Sequence, residues 1–165
     1  MFYADLFRAL AEHEVRYVIV GGVAVNLQGF VRATGDVDIV ISLSQDNVAR
    51  FVAAARALGL QPRMPLARLD DFAVPEKRQD WVENKRLLAY NLSREGPHPG
   101  TLDVLLSEAP KFEEMHQRRN VIEAFGESLG IASIDDLIRM KKHADRDQDL
   151  RDIAELQRIK RRRDD

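Results

Sequence analysis

The sequence predicts an α/β fold, on three observations. A β-branched run, Val18-Ile19-Val20, is followed by Gly21-Gly22 and a short helical segment. A second run, Val37 to Ile41, leads into the alanine-rich stretch Asn47 to Leu58. Strand, helix, strand, helix in this order is the pattern of an α/β unit. Further on, Arg86 to Ser93 and Thr101 to Ser107 flank the turn Glu95-Gly96-Pro97-His98-Pro99-Gly100, which predicts an antiparallel hairpin and hence a mixed α+β sheet.

Each element has a local reason. Phe2, Leu6, Ala9 and Leu10 recur at helical spacing, and His13-Glu14 ends that helix. Arg16 to Val20 reads as a buried strand; Gly21-Gly22 opens a helix that stops near Gly29. Arg32 to Gly35 is a loop, Val37 to Ser42 the second strand, and Ser44 an N-cap. From Gln61 to Lys85, three prolines and a polar composition predict a short strand with loops or a partial helix. Lys111 to Gln117 reads as a short helix. Asn120 to Phe125 and Ser128 to Ile131 form a second hairpin around Gly126-Glu127. Ser133 caps a helix reaching about Ala144, with Asp136 placed for an acidic version of a capping box. A last helix runs from about Gln148 to Arg161.

The chain has 165 residues, 45% hydrophobic and 32% charged, enough for one domain with a core of its own. The absence of cysteine excludes disulfides, thiolate zinc sites and cysteine nucleophiles. No apolar run approaches the roughly 20 residues of a membrane span, and the first residues carry charge where a signal peptide would be apolar. The expectation is a cytoplasmic protein without a membrane partner. A net charge of −2 gives no global attraction to nucleic acid. Arg158, Lys160, Arg161, Arg162 and Arg163 form a local basic cluster, read first as a solvated helix end favoured by the helix dipole.

The chemistry lies in three carboxylates. Successive side chains of a strand alternate in face, so Asp36 and Asp38 share one face while Val37, Ile39 and Ile41 share the other. Two like charges side by side repel, and a hard divalent cation such as Mg²⁺ between them is the usual remedy. Asp103, inside the apolar run Leu102 to Leu106, supplies a third carboxylate, costly to bury unpaired. Together Asp36, Asp38 and Asp103 make a plausible site for two Mg²⁺ ions, with Asp103 as base or as the ligand that acidifies an attacking hydroxyl. Gly21 and Gly22 let backbone N–H groups at a helix start approach a phosphate. Arg32 and Thr34, in the loop before the acidic pair, are within reach of a nucleotide; Thr34 has the alternative of fixing the loop by a backbone hydrogen bond. His13, His98, His116 and His143 lack metal-ligand spacing, and Trp81 is read as part of a small subcore rather than a platform for a base. Neither a Walker-type loop nor a Gly-x-Ser-x-Gly elbow is present.

The run Val18 to Ala24, with Arg32-x-Thr34-x-Asp36-x-Asp38 and a later strand bearing Asp103, resembles the DNA polymerase β-like nucleotidyltransferase superfamily, and within it the minimal bacterial branch of AbiEii/MenT-type toxins. Lys141, then Arg146, Asp149-Leu150 and Asp152-Ile153, resembles that branch's C-terminal pattern. Gly35 stands where the pattern often has Arg or Lys. The resemblance implies a single nucleotidyltransferase domain over 1–165, with C-terminal helices from about 133, and a twisted mixed sheet flanked by helices. It implies a Mg²⁺-dependent transfer of an NMP from an NTP to a hydroxyl of an RNA or tRNA end or of a protein, in a toxin with a cognate antitoxin or a phage-defence protein. Lys141 would reach the phosphates, and Asp152 would orient a basic partner or the metal site from behind. By helical spacing alone, Asp145 and Asp149 read as an exposed helix face. The alternatives are a catalytically weak nucleotide- or partner-binding module of the same fold, and a phosphatase or nuclease using the same carboxylates.

Overall fold

The computed structural model describes residues 1–106 and 111–165. One seven-stranded sheet organises them, in the order β3-β4-β5-β2-β1-β7-β6. Its strands are β1 (Tyr17–Val20), β2 (Val37–Ile41), β3 (Gln61–Pro62), β4 (Ala89–Arg94), β5 (Gly100–Leu105), β6 (Asn120–Ala124) and β7 (Glu127–Ile131). β2 runs antiparallel to β1 and parallel to β5, and β1 runs parallel to β7, so the sheet is mixed. Both expected hairpins form: β4 pairs with β5 from Ala89↔Leu105 to Arg94↔Gly100, and β6 pairs with β7. The expected end of β5, Ser107, lies outside the described residues.

Among the described residues, seven α-helices cover the two faces: α1 (Phe2–Glu12), α2 (Gly21–Gln28), α3 (Gln45–Ala57), α4 (Pro75–Glu83), α5 (Phe112–Arg118), α6 (Ile134–Ala144) and α7 (Asp147–Asp164). On one face, Phe7 of α1 stacks on Tyr17, and an aromatic row, Phe51 of α3, Phe72 and Tyr90, packs at centroid distances of 5.3 and 5.0 Å. Val37, Ile39, Leu92, Leu102 and Val104 are fully buried, as the alternation of β2 and β5 requires. The opposite face, that of Val20, Asp38 and Val40, is covered by α5 and α6 and holds the site. Ser44 caps α3 and Ser133 caps α6, as their sequence positions predict.

Three expectations, on β4, Asp136 and Asp149, need correction. The segment from Gln61 to Lys85 folds as the short strand and helical turns expected of it: the two-residue β3, a 3-10 helix at Leu69–Ala73 and α4. Its Trp81 is buried and stacks on Tyr90 at 4.8 Å, so the indole is core. β4 begins at Ala89, not Arg86, because Leu87 donates its N–H to the Trp81 carbonyl and Arg86 turns the chain at φ 52°. Asp136 makes no reciprocal capping box: its fully buried carboxylate accepts from Arg118 Nη2 (2.8 Å) and Nε (3.1 Å). A local spacing cannot reveal such a partner 18 residues away. Asp149 is buried rather than on an exposed face.

The basic cluster of α7 is largely engaged in structure. Lys160 pairs with Asp135, Arg158 with Glu155, and Arg163 donates to both the backbone and side-chain oxygens of Gln28. No helix among the described residues is long and apolar enough to cross a membrane.

Candidate active site

The site begins where β1 ends. Antiparallel pairing sets Val20 opposite Asp38, and the chain leaves the sheet at Gly21 with φ 66°, in the left-handed region that disfavours a side chain. A Cβ on Gly21 would collide with the Asp38 carboxylate, and one on Gly22 with the Thr34 hydroxyl. The diglycine therefore has a packing reason, since it lets the acidic strand and its preceding loop close onto the start of α2. Gly21→Ala should cost about 1–3 kcal/mol from the backbone conformation alone. It should also displace Asp38. Thermal denaturation and a metal titration of the variant measure the two effects separately.

Parallel pairing of β2 and β5 places Asp38 level with Asp103 and on the same face. Asp36 stands one step outside β2 and accepts a hydrogen bond from Thr101 at the start of β5. The structure thus brings the three carboxylates onto one side of the sheet. Among the described residues, however, no three His, Cys, Asp or Glu side chains draw close enough to form a ready-made metal cage. Burial, then the charges of Asp103 and Asp36, push the Asp38 carboxyl up to about 7, against the pull of Lys141 and Arg146. Burial also raises Asp103, opposed by a hydrogen bond from Asn91. Asn91 lies level with Asp103 on β4 and donates Nδ2 to Oδ1 at 2.7 Å. The sequence reading passed over Asn91; its place opposite Asp103 in the hairpin register is the signal that finds it.

The opposite wall carries positive charge. α6 ends at Asp145 in the left-handed conformation, and Arg146 opens α7. Lys141, on the last turn of α6, reaches Asp152 Oδ2 (2.7 Å) and Asp149 Oδ1 (3.4 Å) with only 9% of its side chain exposed. Lys141 and Asp152 do meet, then, by the packing of α6 against α7. Asp152, fully buried, also accepts a two-pronged contact from Arg32, Nε at 2.8 Å and Nη2 at 2.7 Å, and a third donor from Gln148. Burial alone would raise the Asp152 carboxyl, but Arg32, Lys141 and Gln148 outweigh it and hold the group below its ordinary value. Asp149 is lowered in the same way, burial being outweighed by Arg146 and Lys141. The backbone of Arg32 is clamped by Asn26 of α2 through two hydrogen bonds, so the start of the loop before the acidic pair is fixed.

Between the walls is a cleft of about 600 Å³ that exposes Gly21, Asp38, Lys141 and Arg146 over a floor of Val40, Leu105 and Met115. A larger groove of about 780 Å³ lies beyond Leu88, between α4 and the ends of β2 and β5. None of the three carboxylates lines it, whereas Asp38 lines the smaller cleft, which is therefore the candidate for chemistry. A carboxylate facing Lys141 and Arg146 across a gap of nucleotide size suits a metal-bound polyphosphate.

The seven-stranded mixed sheet with helices on both faces is a nucleotidyltransferase-like fold. Among solved structures the chain is similar to an antigenic nucleotidyltransferase-like protein from Paracoccidioides brasiliensis. The TM-score is 0.57 and the identity 19%, covering 93% of this chain and 72% of that one. No protein-family model matches the sequence, and no curated protein matches it.

Proposed function

We propose that the protein is a Mg²⁺-dependent nucleotidyltransferase that moves an NMP from an NTP to a hydroxyl acceptor. The observation that carries this is the register of Asp38 with Asp103 beside the Gly21 corner, within a nucleotidyltransferase-like fold. The donor set fits a hard cation. Asp38 is half-buried, flanked by two further carboxylates, and accepts no hydrogen bond among the described residues, so its charge is stabilised best by bound cation. Asp36, Asp38 and Asp103 would hold the metal, in the reading of two ions, which would neutralise the triphosphate and favour the ionised acceptor.

The chain's own residues do the rest. Backbone N–H groups at Gly21 and Gly22, where α2 begins, take phosphate oxygens. Arg32 and Thr34 hold the preceding loop against α2 and α7. Lys141 adds positive charge to the facing wall, and Asp152 holds Lys141 and Arg32 in place. The acceptor oxygen attacks the α-phosphorus, the bond from that phosphorus to the β-bridging oxygen breaks, and pyrophosphate leaves. The acceptor proton passes to Asp103, whose raised affinity for protons suits a base. An RNA or tRNA end is the first choice of acceptor, and a protein hydroxyl the second. The resemblance to AbiEii/MenT-type toxins extends the proposal to a cytoplasmic toxin or phage-defence role with a cognate antitoxin.

Incubation with labelled NTPs, Mg²⁺ and total RNA or cell protein should label an acceptor and release pyrophosphate. Asp36→Ala with Asp38→Ala should remove the label. Labelling that survives the double substitution overturns the site. NTP binding without pyrophosphate release for any acceptor would leave a nucleotide-binding module instead.

A further inference from the structure

The cations around the cleft are not equivalent. Arg32 spends its fork on Asp152. Lys141 is nearly buried and shared between Asp152 and Asp149. Arg146 differs from both. Its side chain is 77% exposed, and only Nε is committed, to Asp149 Oδ2 at 2.9 Å. Among the described residues its two terminal nitrogens have no side-chain carboxylate partner. It lines the same cleft as Gly21 and Asp38, and its charge is felt at the Asp38 carboxyl.

The position of Arg146 is set with unusual economy. The reversal at Asp145 (φ 49°) makes Arg146 the residue that caps α7. Its backbone N–H donates to the same Asp149 oxygen that accepts from its Nε, at 3.1 and 2.9 Å. Asp149 is 2% exposed and is anchored from behind by Lys141. One buried carboxylate thus fixes both the main chain and the side chain of Arg146, and the terminal edge of the guanidinium is left free. A planar edge of four N–H donors, oriented in advance, matches the oxygens of a phosphate chain better than an ammonium already holding two carboxylates.

We propose that Arg146 is the side chain that grips the β- and γ-phosphates, and that Lys141 acts through Asp149 by holding Arg146 in position. The proposal rests on the nucleotidyltransferase reading and refines it. It moves the phosphate contact from the end of α6 to the junction with α7, and predicts recognition of a polyphosphate whatever base it carries.

The probe is inorganic tripolyphosphate with Mg²⁺, measured by calorimetry on the full chain, with nucleotide labelling run in parallel. Arg146→Gln should weaken tripolyphosphate binding at least tenfold; it should also lower the melting temperature, because the buried Asp149 loses one of its two cations, so binding is measured at a temperature where the variant is still fully folded. Arg146→Lys keeps the charge without the fork, so an intermediate affinity supports the proposal and wild-type affinity overturns it. Wild-type affinity in Arg146→Gln, with labelling by the wild-type protein intact, overturns the role of Arg146 and leaves the transferase reading standing. A wild-type protein that neither binds tripolyphosphate nor transfers a nucleotide overturns both.

Discussion

Without divalent cation, Asp38→Asn should melt higher than the wild-type protein at pH 8, and the gap should close on acidification toward pH 4. The carboxyl titrates near 3.9 in an unfolded chain and is pushed up to about 7 in the fold by burial and its two acidic neighbours. Between those values the folded state binds the extra proton, so stability falls as pH rises and the full penalty is present above 7. Three pH units correspond to at most about 4 kcal/mol. For a chain of this length that is on the order of 10 °C. Mg²⁺ should raise the melting temperature of the wild-type protein more at pH 8 than at pH 5, and should leave Asp38→Asn almost unmoved. A wild-type melting curve indifferent to pH across this window would contradict the electrostatic account of the site. The same substitution should reduce nucleotide transfer by several orders of magnitude, since it removes a ligand and a charge at the reacting centre.

The second large effect is expected at Lys141. Lys141→Met should destabilise by about 3–5 kcal/mol, because it leaves Asp152 and Asp149 buried with one cation fewer. The pH dependence has the opposite sign to that at Asp38. Both carboxyls sit below their ordinary range in the fold, so the network contributes stability above about pH 4 and loses it as pH falls through the folded values. The deficit of Lys141→Met should therefore be largest at neutral pH and shrink in acid. Adding Asp152→Asn should restore part of the loss, which a simple packing defect would not allow. Equal melting temperatures for Lys141→Met and wild type would remove Lys141 from the fold's support.

Those two sites also mark how far the sequence could be read. Alternation in Val37 to Ile41 puts Asp36 and Asp38 on one face whatever the strand pairs with, and the hairpin around Pro97 is written in its turn residues. What alternation cannot supply is register. Asp38 lies level with Asp103 only because β5 joins β2 in parallel at Val37↔Leu102, a pairing with no local signal. Asn91 follows from the next register across and was missed for the same reason. The ion-pair network shows the complementary limit. Helical spacing made Asp149 an exposed residue, whereas the reversal at Asp145 turns α7 back on α6 and buries it. The stretch from Gln61 to Lys85 could be read no further than a short strand with loops or a partial helix, because its order comes from tertiary contacts, Phe72 and Trp81 against Tyr90, rather than from periodicity.

The bond from Arg32 to Asp152 spans 120 residues of chain. The loop that presents the acidic pair therefore emerges from the ribosome long before its anchor exists. At common elongation rates the interval is on the order of ten seconds. For more than half of it the early strands lack β5, and throughout it there is no α7 to steady the loop, so a chain interrupted in this interval lacks a finished centre. The centre is finished only once α7 has been made, and proteolysis within α7 would disrupt it without touching a single carboxylate of the sheet.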